Sequence, residues 1–326
     1  MKAILLKEFG PPENMYVGDH PKPSPQANEV LVKVRATALN RADTLQRMGK
    51  YPPPPGDSTI MGLEIAGDIV ELGKEVKSYK VGDRVCGLIG GGGYAEYAVL
   101  SEGMILPMPA TMSYESAAAI PEVFLTAFQS ISWIANLKKG ESILIHAGAS
   151  GVGTAAIQIA KAIGARVYVT ASASKHSACL ALGADKAIDY KKDDFEALIL
   201  EMTNGKGVDV VIDFVAAPYL QKNINVLSLD GRMVLLALLG GIQTPSLNIM
   251  NLLVKRLQIT GSTLRSRPPS YKTELTQALK EFAWPLFEDQ SFKPIIDTVY
   301  DWKEVTEAHI RMESNLNIGK LVLKIS

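Results

Sequence analysis

Cysteine is scarce in this chain, with only Cys86 and Cys179 among 326 residues. Two thiols cannot form the disulfide framework on which small secreted domains depend. We therefore expect both cysteines to be reduced and at least partly buried, as is usual in a cytoplasmic protein.

An excess of charge and a long apolar run are also absent. Lys+Arg and Asp+Glu number 34 each, so no net field favours nucleic acid or an anionic membrane. The longest apolar runs, such as Met233–Leu239, are far shorter than the ~20 residues that a membrane span needs. Met1–Phe9 is typical of a short strand rather than a signal peptide. We expect neither secretion nor nucleic-acid or membrane partners.

The first ~120 residues contain short β-rich segments separated by Pro and Gly. Glu29–Ala38 alternates apolar and polar residues with a period of two, which is typical of a half-buried strand. Similar segments follow at Ile65–Leu72, Gly82–Gly87 and Tyr94–Val99. This pattern predicts a small β-barrel or sandwich.

The middle of the chain alternates apolar strands with helices. Ser142–Ala147 predicts a strand, and Val152–Ile163 has apolar residues at helical spacing. Further strands are predicted at Arg166–Thr170, Lys186–Asp189, Val208–Asp213, Gly231–Leu236 and Gln258–Gly261, with helices at Lys175–Leu182, Asp194–Thr203 and Ala217–Leu227. The alternation favours an α/β fold with a doubly wound parallel sheet.

The last segment, with a predicted helix at Thr273–Phe287 and a strand at Gly319–Ile325, is too small to form a domain. We expect it to return to the N-terminal domain, so that the α/β domain is an insertion. The predicted division is 1–121 and 268–326 for the β-rich domain, and 122–267 for the inserted domain.

A glycine-rich turn joins the first strand of the inserted domain to its first helix. In the run from Gly148 to Gly153, those two glycines occupy the first and third positions of the dinucleotide-binding pattern, and Ser150 occupies the second. Small residues allow a close approach of pyrophosphate to the N–H groups at the helix N-terminus. Its position between a strand and a helix favours cofactor binding over an ordinary tight turn.

The choice of dinucleotide depends on the end of the second strand. NAD-binding domains place an acidic residue there for the ribose 2′-OH. Here the segment reads Thr170-Ala171-Ser172-Ala173-Ser174-Lys175, which has no carboxylate. A 2′-phosphate would interact favourably with Lys175 and accept a hydrogen bond from Ser172. The alternative is a solvated lysine, but the pattern favours NADPH.

Several motifs resemble the quinone oxidoreductase (zeta-crystallin-like) family of zinc-free medium-chain dehydrogenases/reductases. They run from end to end of the chain: Asn40-Arg41-Ala42-Asp43, Gly90–Tyr97, Ala118–Glu122, Leu125-Thr126-Ala127, Gly140–Lys161 and Asn317–Lys320. The resemblance implies a GroES-like catalytic domain, built from both chain ends, with a Rossmann domain inserted between them.

The resemblance also implies site residues. Asn40, Tyr51 and Thr126 would surround the nicotinamide and form the catalytic set. The remaining cofactor contacts would be Gly148, Ser150, Gly151, Val152 and Gly153 at the pyrophosphate, Ser172, Lys175 and Tyr190 at the 2′-phosphoadenosine, Leu239, Gly240, Leu264 and Ser266 on the Rossmann side of the nicotinamide, and Asn317 at the phosphates.

Structural roles are the alternative for four of these residues. Asn40 and Thr126 are also suited to capping a helix or satisfying buried backbone groups. Tyr190 could be an ordinary aromatic at a strand end, and Asn317 could simply belong to a turn.

Zinc ligands are missing where zinc-dependent relatives would carry them. Their Gly-His-Glu motif reads Gly62-Leu63-Glu64, and the first-ligand region at Asn40–Asp43 has no cysteine. His20, His146, His176 and His309 are scattered along the sequence. Because zinc needs three or four N, O or S ligands, we expect no metal.

Without a Lewis acid, the favoured acceptors are already polarised by conjugation. Quinones and enones qualify, because hydride addition gives a delocalised oxyanion. The sequence therefore predicts an NADPH:quinone oxidoreductase. The alternatives are an enone or enoyl-thioester reductase and a non-catalytic NADPH-binding protein.

Two further features complete the predictions. Tyr51 precedes Pro52–Pro55, a stiff polyproline-like arm that could hold its ring over a flat acceptor. Gln258–Leu264 predicts an exposed edge strand, which relatives pair across a two-fold axis. We therefore expect a homodimer formed through this strand.

Overall fold

The computed structural model describes residues 1–244 and 246–326. The chain divides into two compact units, one of Met1–Leu125 with Arg265–Ser326 and one of Thr126–Leu264. The boundaries predicted after residues 121 and 267 are therefore displaced to 125 and 264. A helix at Pro121–Phe128 runs through the first boundary, which places it inside a regular element rather than in a linker.

The elements of the first unit come from both ends of the chain. Its N-terminal part contains β1 Lys2–Leu6, β2 Met15–Asp19, β3 Glu29–Ala38, α1 Arg41–Arg47, β4 Glu64–Leu72, β5 Arg84–Leu88, β6 Tyr97–Ser101, β7 Ile105–Pro107, α2 Tyr114–Ala118 and the start of α3 Pro121–Phe128.

The second unit continues from α3 through a π-helical segment at Gln129–Ile134. Its remaining elements are β8 Ser142–Ile145, α4 Gly151–Ile163, β9 Arg166–Ala171, α5 His176–Ala181, β10 Lys186–Asp189, α6 Phe195–Met202, β11 Val208–Asp213, α7 Leu220–Val226, β12 Leu227–Leu235, α8 Met250–Val254 and β13 Gln258–Gly261. The chain then returns to the first unit with α9 Pro269–Glu288, β14 Ile296–Asp301, α10 Val305–Glu313 and β15 Lys320–Lys324.

The larger sheet of the first unit has seven strands. The strand order is β14-β15-β3-β4-β5-β7, with β6 also paired to β3. The N-terminal half of β3 pairs with β6, whereas its last residues, Ala36–Ala38, pair with β15 near the C-terminus. The two chain ends therefore share one sheet and one core, in which Tyr94, Trp302 and Leu321 are buried. Where the sequence predicts a barrel or sandwich, the unit contains this mixed sheet and a separate two-stranded sheet of β1 and β2.

The second unit contains a six-stranded parallel sheet with strand order β10-β9-β8-β11-β12-β13. This is the doubly wound order of dinucleotide-binding folds, which bind ligands at the carboxyl ends of the strands where the order reverses. The reversal lies between β8 and β11. The predicted α/β fold, with a parallel sheet inserted in a β-rich domain, is confirmed.

One helical stretch, Tyr114–Ile134, is long and apolar enough to cross a membrane by length and composition. It includes α2, α3 and the π-helical segment. Its apolar character is explained by burial, since 72 % of its most apolar window lies inside the protein. This is typical of a core helix.

Candidate active site

The glycine-rich turn of the second unit lies between β8 and α4, and its small residues are required by close packing. A Cβ on Gly148 would lie 2.6 Å from the Cβ of Val169 on β9. A Cβ on Gly153 would lie 2.4 Å from the carbonyl oxygen of Ala147, which itself has a φ of 50°. The turn therefore needs glycine at the first and third positions of the pattern.

Ser150, at the second position, is the N-cap of α4. Its hydroxyl accepts a hydrogen bond from the N–H of Gly153 at 3.1 Å. The N–H groups of Gly151 and Val152 have no acceptor within the helix, because they belong to its first turn. These groups and the positive end of the helix dipole are suited to a pyrophosphate. The serine thus replaces glycine without closing the site.

His146, directly before the turn, holds the neighbouring strand ends together. Its imidazole is fully buried and bonds the Thr170 hydroxyl at 2.9 Å and the Asn223 carbonyl oxygen at 2.8 Å. Asn223 in turn donates to Asp213 at 3.0 Å. Burial lowers the pKa of His146. The histidine is a structural residue that links β8, β9 and β11 beneath the turn.

The predicted adenosine-side residues follow β9 and β10. Ser172 begins a 3₁₀ turn, and the N–H of Lys175 donates to its carbonyl at 2.9 Å. Tyr190 is 46 % exposed directly after β10. These positions share the carboxyl edge of the parallel sheet with the glycine turn, because β9 lies beside both β8 and β10.

The turn after β12 lies at the same edge. The N–H groups of Leu239 and Gly240 donate to the carbonyls of Phe214 and Val215, which follow β11. Leu239 is 58 % exposed. Thr126 is the first residue of this unit and Leu264, which is buried, is the last.

Ser266 and Asn317 belong to the first unit, not to the Rossmann unit. The side-chain amide of Asn317 donates to the carbonyl of Gly319 at 2.8 Å, in the turn that precedes β15. The resemblance implies a role for Ser266 on the Rossmann side of the nicotinamide, whereas the second compact unit ends at Leu264, two residues before it.

Asn40 begins α1 and lies in a buried polar cluster of the first unit. Its backbone N–H donates to the Asp43 carboxylate at 2.7 Å, and Asp43 also accepts from the N–H of Gly62 at 3.0 Å. Burial raises the pKa of Asp43 to about 6, although both hydrogen bonds oppose the shift. Asn40 thus occupies the N-cap position of α1, where the Asp43 carboxylate accepts from its backbone N–H.

A buried ion pair, missed in the sequence, determines the position of the Asn40 side chain. The Lys320 ammonium donates to Asn40 Oδ1 at 2.6 Å and lies 2.7 Å from Glu64 Oε1. The Asn40 amide nitrogen donates to the same carboxylate oxygen at 2.9 Å. Glu64 is fully buried and Lys320 is 3 % exposed. Glu64 could have been suspected, because it belongs to the Gly62-Leu63-Glu64 motif.

Tyr51 is half-buried and lies beside a second residue that the sequence did not indicate. The Arg265 guanidinium carbon is 5.3 Å from the centre of the Tyr51 ring, a cation–π contact. Burial raises the pKa of Tyr51, whereas Arg265 lowers it. The phenol is thus protonated at neutral pH and able to donate a hydrogen bond.

The structure shows no obvious metal centre in the residues it describes. Among residues 1–244 and 246–326, no group of three or more His, Cys, Asp and Glu side chains is arranged to hold an ion. Leu63 is 3 % exposed and packs in the core, where zinc-dependent relatives carry histidine. Burial raises the pKa of the Cys86 thiol, so it is not poised as a thiolate ligand.

Two family models match most of this architecture. The alcohol dehydrogenase GroES-like domain matches residues 26–110, and the domain described as zinc-binding dehydrogenase matches residues 151–284. The expected GroES-like character of the first unit is confirmed.

Relatives match the whole chain. The quinone oxidoreductase of Rattus norvegicus is 33 % identical over 330 residues, which cover 99 % of this chain and 97 % of the rat protein. The human quinone oxidoreductase is 31 % identical over 330 residues, which cover 99 % of this chain and 97 % of the human protein.

Solved structures agree with these relatives. The quinone oxidoreductase of Coxiella burnetii is 32 % identical with a TM-score of 0.82, covering 100 % of this chain and 99 % of its own. The CurK enoyl reductase is 30 % identical with a TM-score of 0.89, covering 100 % of this chain and 99 % of its own. A mycobacterial protein in complex with NADPH is 27 % identical with a TM-score of 0.87, covering 99 % of this chain and all of its own.

Proposed function

Since the chain belongs to the medium-chain dehydrogenase/reductase family and is an oxidoreductase of that family, we propose that it transfers hydride from NADPH to quinones without a metal ion. The observation that carries the proposal is a phenol, Tyr51, held against the Arg265 guanidinium in the unit that also contains the buried Glu64–Lys320 ion pair. The relatives named quinone oxidoreductase cover the full chain and support the same acceptor class.

The second unit fits a phosphorylated dinucleotide. The α4 N-terminus offers the free N–H groups of Gly151 and Val152, and the strand that ends at Ala171 is followed by Ser172 and Lys175 rather than by a carboxylate. The mycobacterial neighbour binds NADPH. When bound, the cofactor supplies the hydride, and the residues of the turn fix its phosphates.

The first unit supplies orientation and a proton donor. We assign Tyr51 to the acceptor, where its ring stacks on a flat quinone and its hydroxyl donates to the developing oxyanion. We also assign Asn40 of this unit to the nicotinamide, as we assign Thr126 in the second unit. The Asn40 amide is oriented by hydrogen bonds with Lys320 and Glu64. A conjugated acceptor needs no Lewis acid, because its product oxyanion is delocalised.

Reduction of an enone or enoyl thioester is the second candidate. The CurK enoyl reductase has the same fold over the entire chain at 30 % identity. Both reactions deliver hydride to a conjugated carbonyl system, and both fit a site without metal. Turnover with crotonyl-coenzyme A, compared with 1,2-naphthoquinone, separates them.

We further propose a homodimer formed through β13. This strand is at the edge of the parallel sheet and pairs only with β12 in the described chain. All four of its residues are exposed. The preceding segment also exposes large apolar side chains, at Ile242, Ile249, Met250, Leu253 and Val254. A second copy would pair with the free strand edge and cover these side chains.

NADPH should bind more tightly than NADH, and Lys175→Ala should reduce the difference. Loss of a charge-assisted hydrogen bond to the 2′-phosphate, about 1.5–3 kcal/mol, raises the NADPH dissociation constant roughly tenfold or more. NADH affinity should not change. Fluorescence titration measures both constants, with exposed Lys192→Ala of the same unit as the control. Equal wild-type affinities for the two cofactors would refute NADPH specificity.

Substitution of Tyr51 tests the acceptor site through the kcat and KM of NADPH-dependent reduction of 1,2-naphthoquinone. The buffer contains a chelator, because the proposed reaction needs no metal ion. Tyr51→Ala should raise the quinone KM, because the stacking surface is lost. Tyr51→Phe should retain the KM and, where the hydroxyl donates the proton, lower kcat by about 10²-fold. Tyr16→Ala, exposed on β2, is the control. Wild-type kcat and KM in both Tyr51 variants would remove this residue from the site.

The dimer can be tested by light scattering coupled to size exclusion. The wild type should have twice the chain mass of 35.2 kDa, and Ile259→Glu on β13 should shift it toward one chain. Val299→Glu is the matched control, since Val299 is an exposed β-branched residue on the edge strand of the other sheet. A wild-type protein that is monomeric at micromolar concentration would contradict the proposed assembly.

A further inference from the structure

Arg265 is a buried cation whose hydrogen bonds are incomplete. Its Nε and Nη2 donate to the carbonyl of Gly90 at 2.9 and 2.7 Å, and Nη2 also donates to the Gln46 side chain at 2.8 Å. The residue is 7 % exposed, and its Nη1 has no partner among the described residues. Burial of an unpaired charged donor is costly, so a structural role alone does not account for it.

Lys272 adds a second cation next to Arg265. Its ammonium lies 3.4 Å from the Arg265 carbonyl oxygen, and the residue is half-buried in the first turn of α9. This helix has 20 residues, and Pro268 provides no side-chain cap for it. A cation in the first turn opposes the helix dipole, so Lys272 increases a positive potential that is already present.

One carboxylate, Asp57, is near both cations. It packs against Gly90, where an added Cβ would lie 2.0 Å from Asp57 Oδ2. Burial lowers the pKa of Arg265 and of Lys272; Asp43 and Asp57 oppose the shift at Arg265, and Asp57 opposes it at Lys272. None of the ion pairs within 4 Å in the described chain includes Asp57. Arg265, Lys272 and Asp57 therefore form a cluster in which no carboxylate of the described chain pairs with either cation within 4 Å, and the buried Asp43 also faces Arg265 at longer range.

The cluster adjoins the proposed acceptor site, because the Arg265 guanidinium lies against the ring of Tyr51. We propose that Arg265 and Lys272 form an anion subsite beside Tyr51, and that the preferred acceptor is a conjugated carbonyl compound that carries one anionic group such as a carboxylate. This inference rests on the proposed function in placing the acceptor at Tyr51. The anionic group accepts hydrogen bonds from the Lys272 ammonium and from the unpartnered Nη1 of Arg265.

The first test compares two quinones that differ in one anionic group, 1,2-naphthoquinone-4-sulfonate and 1,2-naphthoquinone. Because their intrinsic reactivities differ, the measured quantity is the ratio of their kcat/KM values in each variant relative to wild type. Lys272→Gln should lower this ratio about tenfold, which corresponds to the loss of one charge-assisted hydrogen bond. Lys280→Gln, farther along the same helix, should retain the wild-type ratio. A wild-type ratio in Lys272→Gln would overturn the subsite.

The second test needs no turnover. Calorimetry gives the dissociation constants of 2-naphthalenesulfonate and of its neutral analogue 2-naphthalenesulfonamide. The wild type should bind the sulfonate more tightly, and Lys272→Gln and Arg265→Gln should lose that preference. The Lys272 variant decides the matter if Arg265→Gln does not fold. Equal binding of both compounds by the wild type would refute the subsite. A sulfonate preference without quinone turnover would support the subsite while refuting the proposed function.

Discussion

A carboxylate and an ammonium group, removed from water together, organise the first unit. Glu64 and Lys320 meet at 2.7 Å with almost no exposure, and each makes further hydrogen bonds. The second oxygen of Glu64 accepts from the N–H of Glu122 at the start of α3, and Lys320 also donates to the carbonyl of Leu39. A buried pair is tolerated only when its remaining polar atoms are satisfied in this way. The pair therefore fixes the starts of β4, α3 and β15 together.

This arrangement also explains why the two chain ends form one unit. Lys320 follows the inserted domain, whereas Glu64 precedes it, and β15 pairs with β3 directly beside Asn40. In zinc-dependent relatives the corresponding motif carries a histidine ligand before the glutamate. Here Leu63 packs in the core and the positive charge next to Glu64 is an ammonium group. These groups offer orientation and hydrogen bonding, which suits the acceptors polarised by conjugation that we propose.

Local patterns in the sequence predicted most of the fold. Glu29–Ala38, Lys186–Asp189 and Val208–Asp213 have the bounds expected from periodicity, because their burial alternates or is continuous along the strand. The short helices α1 and α10 were missed. The α1 segment is only seven residues long, and its start depends on the Asn40–Asp43 capping box rather than on an apolar stripe.

The site was predicted less completely, since its key contacts join distant parts of the chain. The glycine turn and the missing acid after β9 are local features and could be recognised. Glu64 and Lys320 are 256 positions apart (320 − 64), and Tyr51 meets Arg265 across a similar separation. No periodicity or spacing indicates such pairs. Lys320 belonged to a recognised motif, but its partner became visible only in the folded chain.

The Glu64–Lys320 ion pair organises the first unit, and a double-mutant cycle tests this most directly. Urea-induced unfolding of wild type, Glu64→Gln, Lys320→Met and the double variant gives the coupling free energy. Each single change should cost about 3–5 kcal/mol, because it leaves the other group buried and unpaired. The double variant should cost clearly less than the sum. Single costs below ~1 kcal/mol that simply add would contradict the claim.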